Sequence, residues 1–219
     1  MRKYLFLFYL IHVFFILPIH EKYYMQRTVI LDPSGDAKRT GRCIGDNFER
    51  GLTLQCAEKI KEYIEHHAPY ITVVITRMPG DTVYDLQNAS LSNRLHADLF
   101  INLNFYYCNE TKPTLSVYQF SYGNDFALNY QQELVLRSYD EAYIINKHIT
   151  DEYAQNIKKF LLQARYQSLF SVAGAYHLPI KPLIGIVAPS ITIEAGLKNK
   201  ESWLQYVEPL ALSIIEVLQ

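Results

Sequence analysis

Short apolar runs alternate with an amphipathic segment along the chain, and this alternation limits the possible folds more than any other feature. Three strand-like runs are Thr28–Leu31, Ile71–Thr76 and Asp98–Asn104. Between the first two, Phe48–Glu65 carries an apolar side chain at every fourth position, which predicts a helix with one buried stripe. Strands that alternate with helices favour a mostly parallel sheet, because right-handed crossovers bury both sheet faces.

Later segments extend the same pattern. They are a helix at Leu86–Leu95, a strand at Leu115–Phe120, a helix at Asn146–Arg165, a strand at Ser190–Glu194 and a helix at Glu201–Leu218. Residues 121–146 show no clear period and are interpreted as an irregular insertion or an edge hairpin. With 219 residues, of which 49% are hydrophobic, the chain can build one core. We expect a single α/β domain, with a mostly parallel twisted sheet of about five to six strands and helices on both faces.

The first residues have the pattern of an export segment. Met1-Arg2-Lys3 is positively charged, and the stretch from Tyr4 to Ile19 that follows is almost entirely apolar. We therefore predict a signal or membrane anchor at residues 1–24 and one domain at residues 25–219. Cleavage and retention both remain open, and an uncleaved segment would attach the protein to the membrane through residues 1–20. Either alternative predicts an exported protein, periplasmic or anchored to the outer face of the inner membrane.

Charge and cysteine content exclude some classes of function. The formal net charge is −1 and no long basic run is present, so a nucleic-acid partner is not expected. Three cysteines permit one disulfide in an oxidising compartment. Cys56 falls on the apolar side of the predicted first helix, where a buried free thiol is ordinary. Whether Cys43 and Cys108 form a bridge is left open.

Four phrases, taken in order, carry a family resemblance. They are Val29-Ile30-Leu31-Asp32-Pro33, Phe48-Glu49-Arg50, Leu99-Phe100-Ile101-Asn102-Leu103-Asn104, and the run from Ser190 to Asn199 with Glu194 inside it. Thr76-Arg77 and the stretch Asn93–Asp98 add weaker matches. In this order and spacing, the chain resembles the zinc-dependent N-acetylmuramoyl-L-alanine amidases of peptidoglycan, which have the amidase type 3 fold.

The resemblance implies roles for individual residues. Glu194 stands where the family has its catalytic glutamate, and Glu49 stands where it has a zinc-binding glutamate. Gly35 and Asn104 stand where the family has its two zinc-binding histidines. A hydrolytic zinc ion needs about three protein ligands and one open position. With two ligands replaced, we expect a peptidoglycan protein whose hydrolysis of the bond between muramic acid and L-alanine is impaired. The alternative is a non-catalytic pseudo-amidase that binds peptidoglycan or regulates a partner at the membrane.

Other interpretations of these acidic residues remain open. Asp36 follows the lost ligand position and, with Glu49 and Asn104, would give oxygen ligands that suit magnesium or calcium better than zinc. Glu49 is also a favourable residue at any helix start. Glu194 is alternatively an ion-pair partner of Lys198 or Lys200.

The chain is rich in tyrosine between the third predicted strand and the third predicted helix. These residues are Tyr106, Tyr107, Tyr118, Tyr122, Tyr130, Tyr139 and Tyr143. A tyrosine combines a flat apolar face with a polar tip, so the set would suit stacking against sugars, although packing is the commoner use.

Overall fold

A computed structural model of the protein describes residues 25–84, 86–122 and 138–219. The strands are β1 (Arg27–Pro33), β2 (Cys43–Ile44), β3 (Asn47–Phe48), β4 (Ile71–Ile75), β5 (Leu99–Tyr107), β6 (Thr114–Phe120), β7 (Ser171–Leu178) and β8 (Ser190–Leu197). The α-helices are α1 (Glu49–His67), α2 (Gln87–Arg94), α3 (Lys147–Leu161) and α4 (Leu204–Val217). Within these described residues, 3-10 helices lie at Tyr139–Asn146, Ala164–Tyr166 and Lys181–Leu183.

The predicted export segment, including residues 1–20, lies outside the described residues, as do Tyr130 and most of the predicted insertion. None of the helices in the described part of the chain is long and apolar enough to cross a membrane.

Six strands form the main sheet in the order β4-β1-β5-β8-β6-β7. All neighbouring strands are parallel except β6 and β8, which run antiparallel. The mostly parallel α/β architecture predicted from the sequence is therefore confirmed. The reversal of β6 follows from its direct connection to β5, because residues 108–113 are too few for a helical crossover.

One face of the sheet is apolar along its whole length and is covered by α1, α3 and α4. Val29, Leu31, Leu99 and Ile101 belong to this core and are fully buried. The predicted stripe of α1 packs against them, with Leu52, Cys56, Ile60 and Ile64 all buried. A side chain alternates between the two faces at each step along a strand, so the residues between these belong to the opposite face.

The opposite face is divided into two halves. Its first half is apolar and packs Ile30 and Phe100 against α2 and the 3-10 segments, with Ala89, Tyr143 and Ile186 in the same cluster. Its second half, toward the carboxyl ends of β1, β5 and β8, is polar. We call this second half the polar face.

The structure adds one strand to the predicted elements, shortens one predicted helix and answers the open question about the cysteines. Strand β7 was not predicted, because its small residues and bulge at Ala173 break the apolar alternation that marks a strand. The helix predicted to reach Arg165 ends at Leu161 and is followed by a 3-10 turn. The three cysteines are free thiols, so Cys43 and Cys108 do not form a bridge.

Candidate functional site

The loop after β1 is fixed by donors from two neighbouring elements. Thr53 Oγ1 on α1 donates to the Ser34 carbonyl at 2.8 Å. Arg77 Nε donates to the Pro33 carbonyl at 3.0 Å, and its Nη2 donates to those of Ser34 and Arg50 at 3.2 and 2.7 Å. The Thr76-Arg77 phrase thus holds the loop in place, and burial lowers the pKa of this arginine.

Gly35 adopts a conformation that a histidine would not take without strain. Its φ is +80°, and a Cβ built on it would lie 2.7 Å from the Arg50 Cβ. Left-handed backbone costs an L-residue about 1–2 kcal/mol, and the contact with α1 adds to that cost. The loop conformation therefore favours glycine at this position, where the family resemblance predicts a replaced zinc ligand.

Both carboxylate oxygens of Asp36 accept hydrogen bonds from residues of its own loop and from Val83. Oδ1 accepts from the backbone amides of Lys38 and Arg39 at 2.8 and 2.7 Å. Oδ2 accepts from the Arg39 guanidinium and from the Val83 amide. Burial opposes the charge, yet these hydrogen bonds outweigh it and hold the pKa of Asp36 well below its ordinary value.

Glu49, the first residue of α1, is 3% exposed and accepts from two backbone amides. Its Oε2 accepts from Arg42 N at 3.0 Å, and its Oε1 accepts from Phe105 N at 2.8 Å. The Glu49 amide donates back to the Arg42 carbonyl at 2.8 Å, which pairs the two residues reciprocally. Gly41 allows this approach, because a Cβ there would lie 2.8 Å from Glu49 Oε2.

Asn104 takes part in a polar network along the polar face. Its Nδ2 donates to Asn102 Oδ1 at 2.5 Å, and Asn102 Nδ2 donates to Asp32 Oδ2 at 2.8 Å. Thr76 Oγ1 donates to the other oxygen of Asp32 at 2.7 Å. Burial is the largest influence on Asp32 and raises its pKa. Asn104 is therefore engaged through its amide nitrogen in a network that ends at a buried carboxyl.

Glu194 lies beside Asn104, because the two residues are register partners on β8 and β5. Its Oε1 pairs with Arg42 Nη1 at 2.7 Å, and its Oε2 accepts from the Tyr118 hydroxyl at 3.2 Å. Neither predicted lysine is its partner: Lys198 donates to the Thr111 carbonyl and Lys200 pairs with Glu201.

Arg42 was not predicted as a site residue, and it contacts both retained acidic residues. Its backbone pairs with Glu49, and its guanidinium pairs with Glu194 and donates to the Phe105 carbonyl at 3.3 Å. The pair is partly exposed, so it is worth about 0–1 kcal/mol of stability. No spacing or period distinguishes a single arginine in a loop, so the sequence carried no signal for it.

These residues do not fit a zinc ion. Gly35 has no side chain to bind a metal, the amide oxygen of Asn104 is a poor zinc ligand compared with an imidazole nitrogen, and Glu49 is then a single carboxylate ligand. Within residues 25–84, 86–122 and 138–219, no three His, Cys, Asp or Glu side chains come together in a way that could hold a metal. The substitute site of Asp36, Glu49 and Asn104 stays a prediction, and a metal there would share both carboxylates with the donors that they already accept from.

A cleft of about 700 Å³ opens beside this cluster. Asp32 and Asn102 lie at its base, and Asp36, Val83 and Ile184 are among the residues that line it. Glu49, Asn104 and Glu194 are not among its lining residues. This cleft is therefore adjacent to Asn104 and Glu194 and is joined to them through the side chain of Asn102.

A sequence model of the N-acetylmuramoyl-L-alanine amidase family matches residues 29–207 of this chain. The chain belongs to this family. The matched range contains every predicted site position from Gly35 to Glu194, so this is an N-acetylmuramoyl-L-alanine amidase-like cell-wall protein. A search among curated protein sequences found no match.

Solved structures of the family share the fold at low sequence identity. The catalytic domain of the amidase CwlV from Bacillus (Paenibacillus) polymyxa var. colistinus is 18% identical with a TM-score of 0.56, over 87% of this chain and 97% of that one. The amidase Ami1 from Mycobacterium smegmatis is 12% identical with a TM-score of 0.64, over 90% and 99%. The amidase CwlD from Clostridioides difficile, solved in complex with the GerS lipoprotein, is 14% identical with a TM-score of 0.63, over 88% and 98%.

Proposed function

We propose that this member of the amidase family binds peptidoglycan and has impaired hydrolysis of the bond between muramic acid and L-alanine. The proposal rests on the hydrogen-bond partners of Glu49 and Glu194. Glu49 accepts from two backbone amides, and Glu194 is paired with a guanidinium and a phenol. Both carboxylates are satisfied by protein donors alone.

The chemistry of amide hydrolysis explains why this arrangement argues against turnover. An unactivated water is a poor nucleophile, and a zinc ion makes it reactive by lowering its pKa to about 7. Glu194 would act as a base only if such a water lay within hydrogen-bond reach. Its two carboxylate oxygens already contact the Arg42 guanidinium at 2.7 Å and the Tyr118 hydroxyl at 3.2 Å, so a water would have to share them with these donors.

Family membership supports the choice of peptidoglycan as the partner, and the predicted export segment would bring the domain to it. We propose that the protein is exported and acts in the periplasm or at the outer face of the inner membrane. N-terminal sequencing of the mature protein separates the alternatives: a start near Tyr23 indicates a cleaved signal, and a start at Met1 indicates an anchor.

The test combines binding, metal content and turnover on the same preparation of full-length protein. Purified protein is incubated with sacculi with and without added zinc, and the bound fraction, the metal per chain and the released stem peptide are measured. We expect cosedimentation, substoichiometric metal and no peptide release. Stoichiometric metal together with peptide release would overturn the proposal and favour a metal site rebuilt at Asp36, Glu49 and Asn104.

A further inference from the structure

Three tyrosines lie on the same face of the sheet as Glu194, and one of them, Tyr118, donates a hydrogen bond to its carboxylate at 3.2 Å. Tyr106 lies on β5 and Tyr118 on β6, and Tyr176 lies on the edge strand β7. The register pairs Tyr118 with Tyr176, so both side chains lie on the same face of the sheet. Their ring centroids are 5.9 Å apart with an interplanar angle of 34°. We call Tyr106, Tyr118 and Tyr176 the tyrosine shelf.

Two glycines allow the rings of Tyr106 and Tyr176 to lie close to the backbone of the sheet. A Cβ at Gly174 would lie 2.8 Å from the Tyr176 ring, and a Cβ at Gly196 would lie 3.2 Å from the Tyr106 ring. Each ring therefore lies close over the backbone of its own or the adjacent strand. Hydrogen bonds complete the arrangement, because the Tyr176 hydroxyl donates to the Ala173 carbonyl at 3.0 Å and the Tyr106 hydroxyl donates to the Thr114 carbonyl at 3.1 Å.

These restraints leave an aromatic face open to solvent. One face of the Tyr176 ring covers Gly174, and the residue is still 44% exposed. A flat ring that is held in one orientation loses little conformational entropy when a ligand stacks on it. Pyranose rings have apolar faces of C–H groups that suit such a surface, and their hydroxyls suit the phenol tips.

The guanidinium of Arg42 lies next to the tyrosine shelf, beside Glu194. Arg42 is half exposed, and its Nη1 atom makes both the contact with Glu194 and the contact with the Phe105 carbonyl. A guanidinium has five N–H donors, and among residues 25–84, 86–122 and 138–219 the side-chain contacts of Arg42 use Nη1 alone, so Nε and Nη2 can donate to an incoming carboxylate. The site thus presents an aromatic surface and then a positive charge, joined through Glu194.

We propose that the tyrosine shelf binds the glycan strand of peptidoglycan, with an amino-sugar ring on Tyr176 and a stem-peptide carboxylate at Arg42. This inference rests on the proposed function, since it names where the peptidoglycan lies. It also gives Tyr176 a role outside the positions that the family resemblance assigns.

Tyr107 supplies a matched control. It is 48% exposed, close to the 44% of Tyr176, but its position next to Tyr106 on β5 directs it to the opposite face. Tyr176→Phe keeps the ring and removes only the hydrogen bond to Ala173, whereas Tyr176→Leu keeps apolar bulk without a flat ring. Comparing these two variants and the control Tyr107→Ala with Tyr176→Ala separates ring stacking from a merely structural role.

The experiment measures binding of the full-length protein to sacculi, to a soluble N-acetylglucosamine tetramer and to a disaccharide-tetrapeptide, with melting temperature recorded for each variant. We expect Tyr176→Ala and Tyr176→Leu to weaken all three interactions about tenfold, and Tyr176→Phe and Tyr107→Ala to leave them within about twofold. Arg42→Met should weaken only the interactions with sacculi and the peptide-bearing ligand, because the tetramer has no carboxylate.

Equal effects of Tyr176→Ala and Tyr107→Ala, with wild-type binding to sacculi intact, would overturn the shelf while leaving the proposed function standing. Loss of binding that follows melting temperature through all the variants would also overturn it. Wild-type protein that does not bind sacculi would overturn the proposed function itself.

Discussion

The two faces of the central sheet are built from the same strands, but one forms the apolar core and the other carries the polar network. The helix-covered face places Leu31, Ile101 and Ile193 in one continuous apolar core. The polar face places Asp32, Asn102 and other polar groups at neighbouring positions of the same strands. On the first face any well-fitting apolar side chain contributes, since burial is non-directional. On the second face each group depends on one particular partner, so specificity is concentrated there.

The largest expected effect tests the apolar face. Leu210 on α4 is 1% exposed within the main core, so Leu210→Ala should lower the free energy of unfolding by about 2–5 kcal/mol. Leu204 on the same helix is 55% exposed, and Leu204→Ala should change it by less than about 0.5 kcal/mol. Urea unfolding of both variants gives the comparison, and similar losses would mean that α4 does not pack as described.

Gly35→His tests whether the loop after β1 can accept a side chain at this position. We expect a loss of about 3 kcal/mol, from the left-handed φ and the contact with Arg50. Gly45 also has a positive φ, +58°, but open space around its Cβ position, so Gly45→His should cost only about 1–2 kcal/mol. Thermal and urea unfolding measure both. Equal costs would show that the clash at Gly35 is relieved without strain.

Thr76→Val tests a single directional contact on the polar face. The change removes the hydroxyl that donates to Asp32 and leaves the shape nearly unaltered, so we expect a loss of about 1–3 kcal/mol. Thr72→Val, at an exposed position on β4, is the control and should be nearly neutral. Should Thr76→Val prove equally neutral, the network through Asp32 would contribute nothing to stability.

The smallest expected effects are on the pH dependence of stability. They distinguish Asp32 from Asp36, two carboxylates four residues apart. Burial raises the pKa of Asp32 above its ordinary 3.8, so the folded state holds this proton more tightly and stability falls as pH rises from that value through the raised pKa. For Asp36, burial is outweighed by its hydrogen bonds and the pKa is lowered, so its contribution is present above 3.8 and is lost as pH falls further.

Melting temperature measured from pH 2 to pH 8 checks both signs. Asp32→Asn should flatten the decline on the alkaline side of pH 3.8, and Asp36→Asn should flatten the loss on the acid side. Profiles that remain parallel to the wild type would contradict the opposite environments of the two groups.

The same contrast between the two faces explains what the sequence could predict. The four-residue period of α1 identified its buried stripe, because burial repeats with the helix and leaves a pattern along the chain. Strand β7 was missed because alanine, glycine and histidine dominate it and a bulge interrupts its alternation. Its place at the sheet edge also removes the demand for apolar residues on both faces.

For the candidate site, positions could be predicted from the sequence but their partners could not. The ordered phrases predicted a site at Glu49, Asn104 and Glu194, and the fold brings α1, β5 and β8, which carry them, together. Arg42 and Tyr176 reach Glu194 and Tyr118 from distant parts of the chain, and such contacts leave no local trace. The direction of a carboxylate, as at Asp36, depends on loop geometry that spacing does not encode.

The guanidinium of Arg42 has a consequence for the environment in which this protein works. A metal ion is exchanged with the surroundings, so a zinc enzyme gains or loses its cation as zinc becomes plentiful or scarce. An arginine is covalently part of the chain and stays protonated at any physiological pH. The positive charge beside Glu194 is therefore constant. Binding that depends on it should persist under zinc starvation or chelation, when zinc-dependent relatives lose their activity.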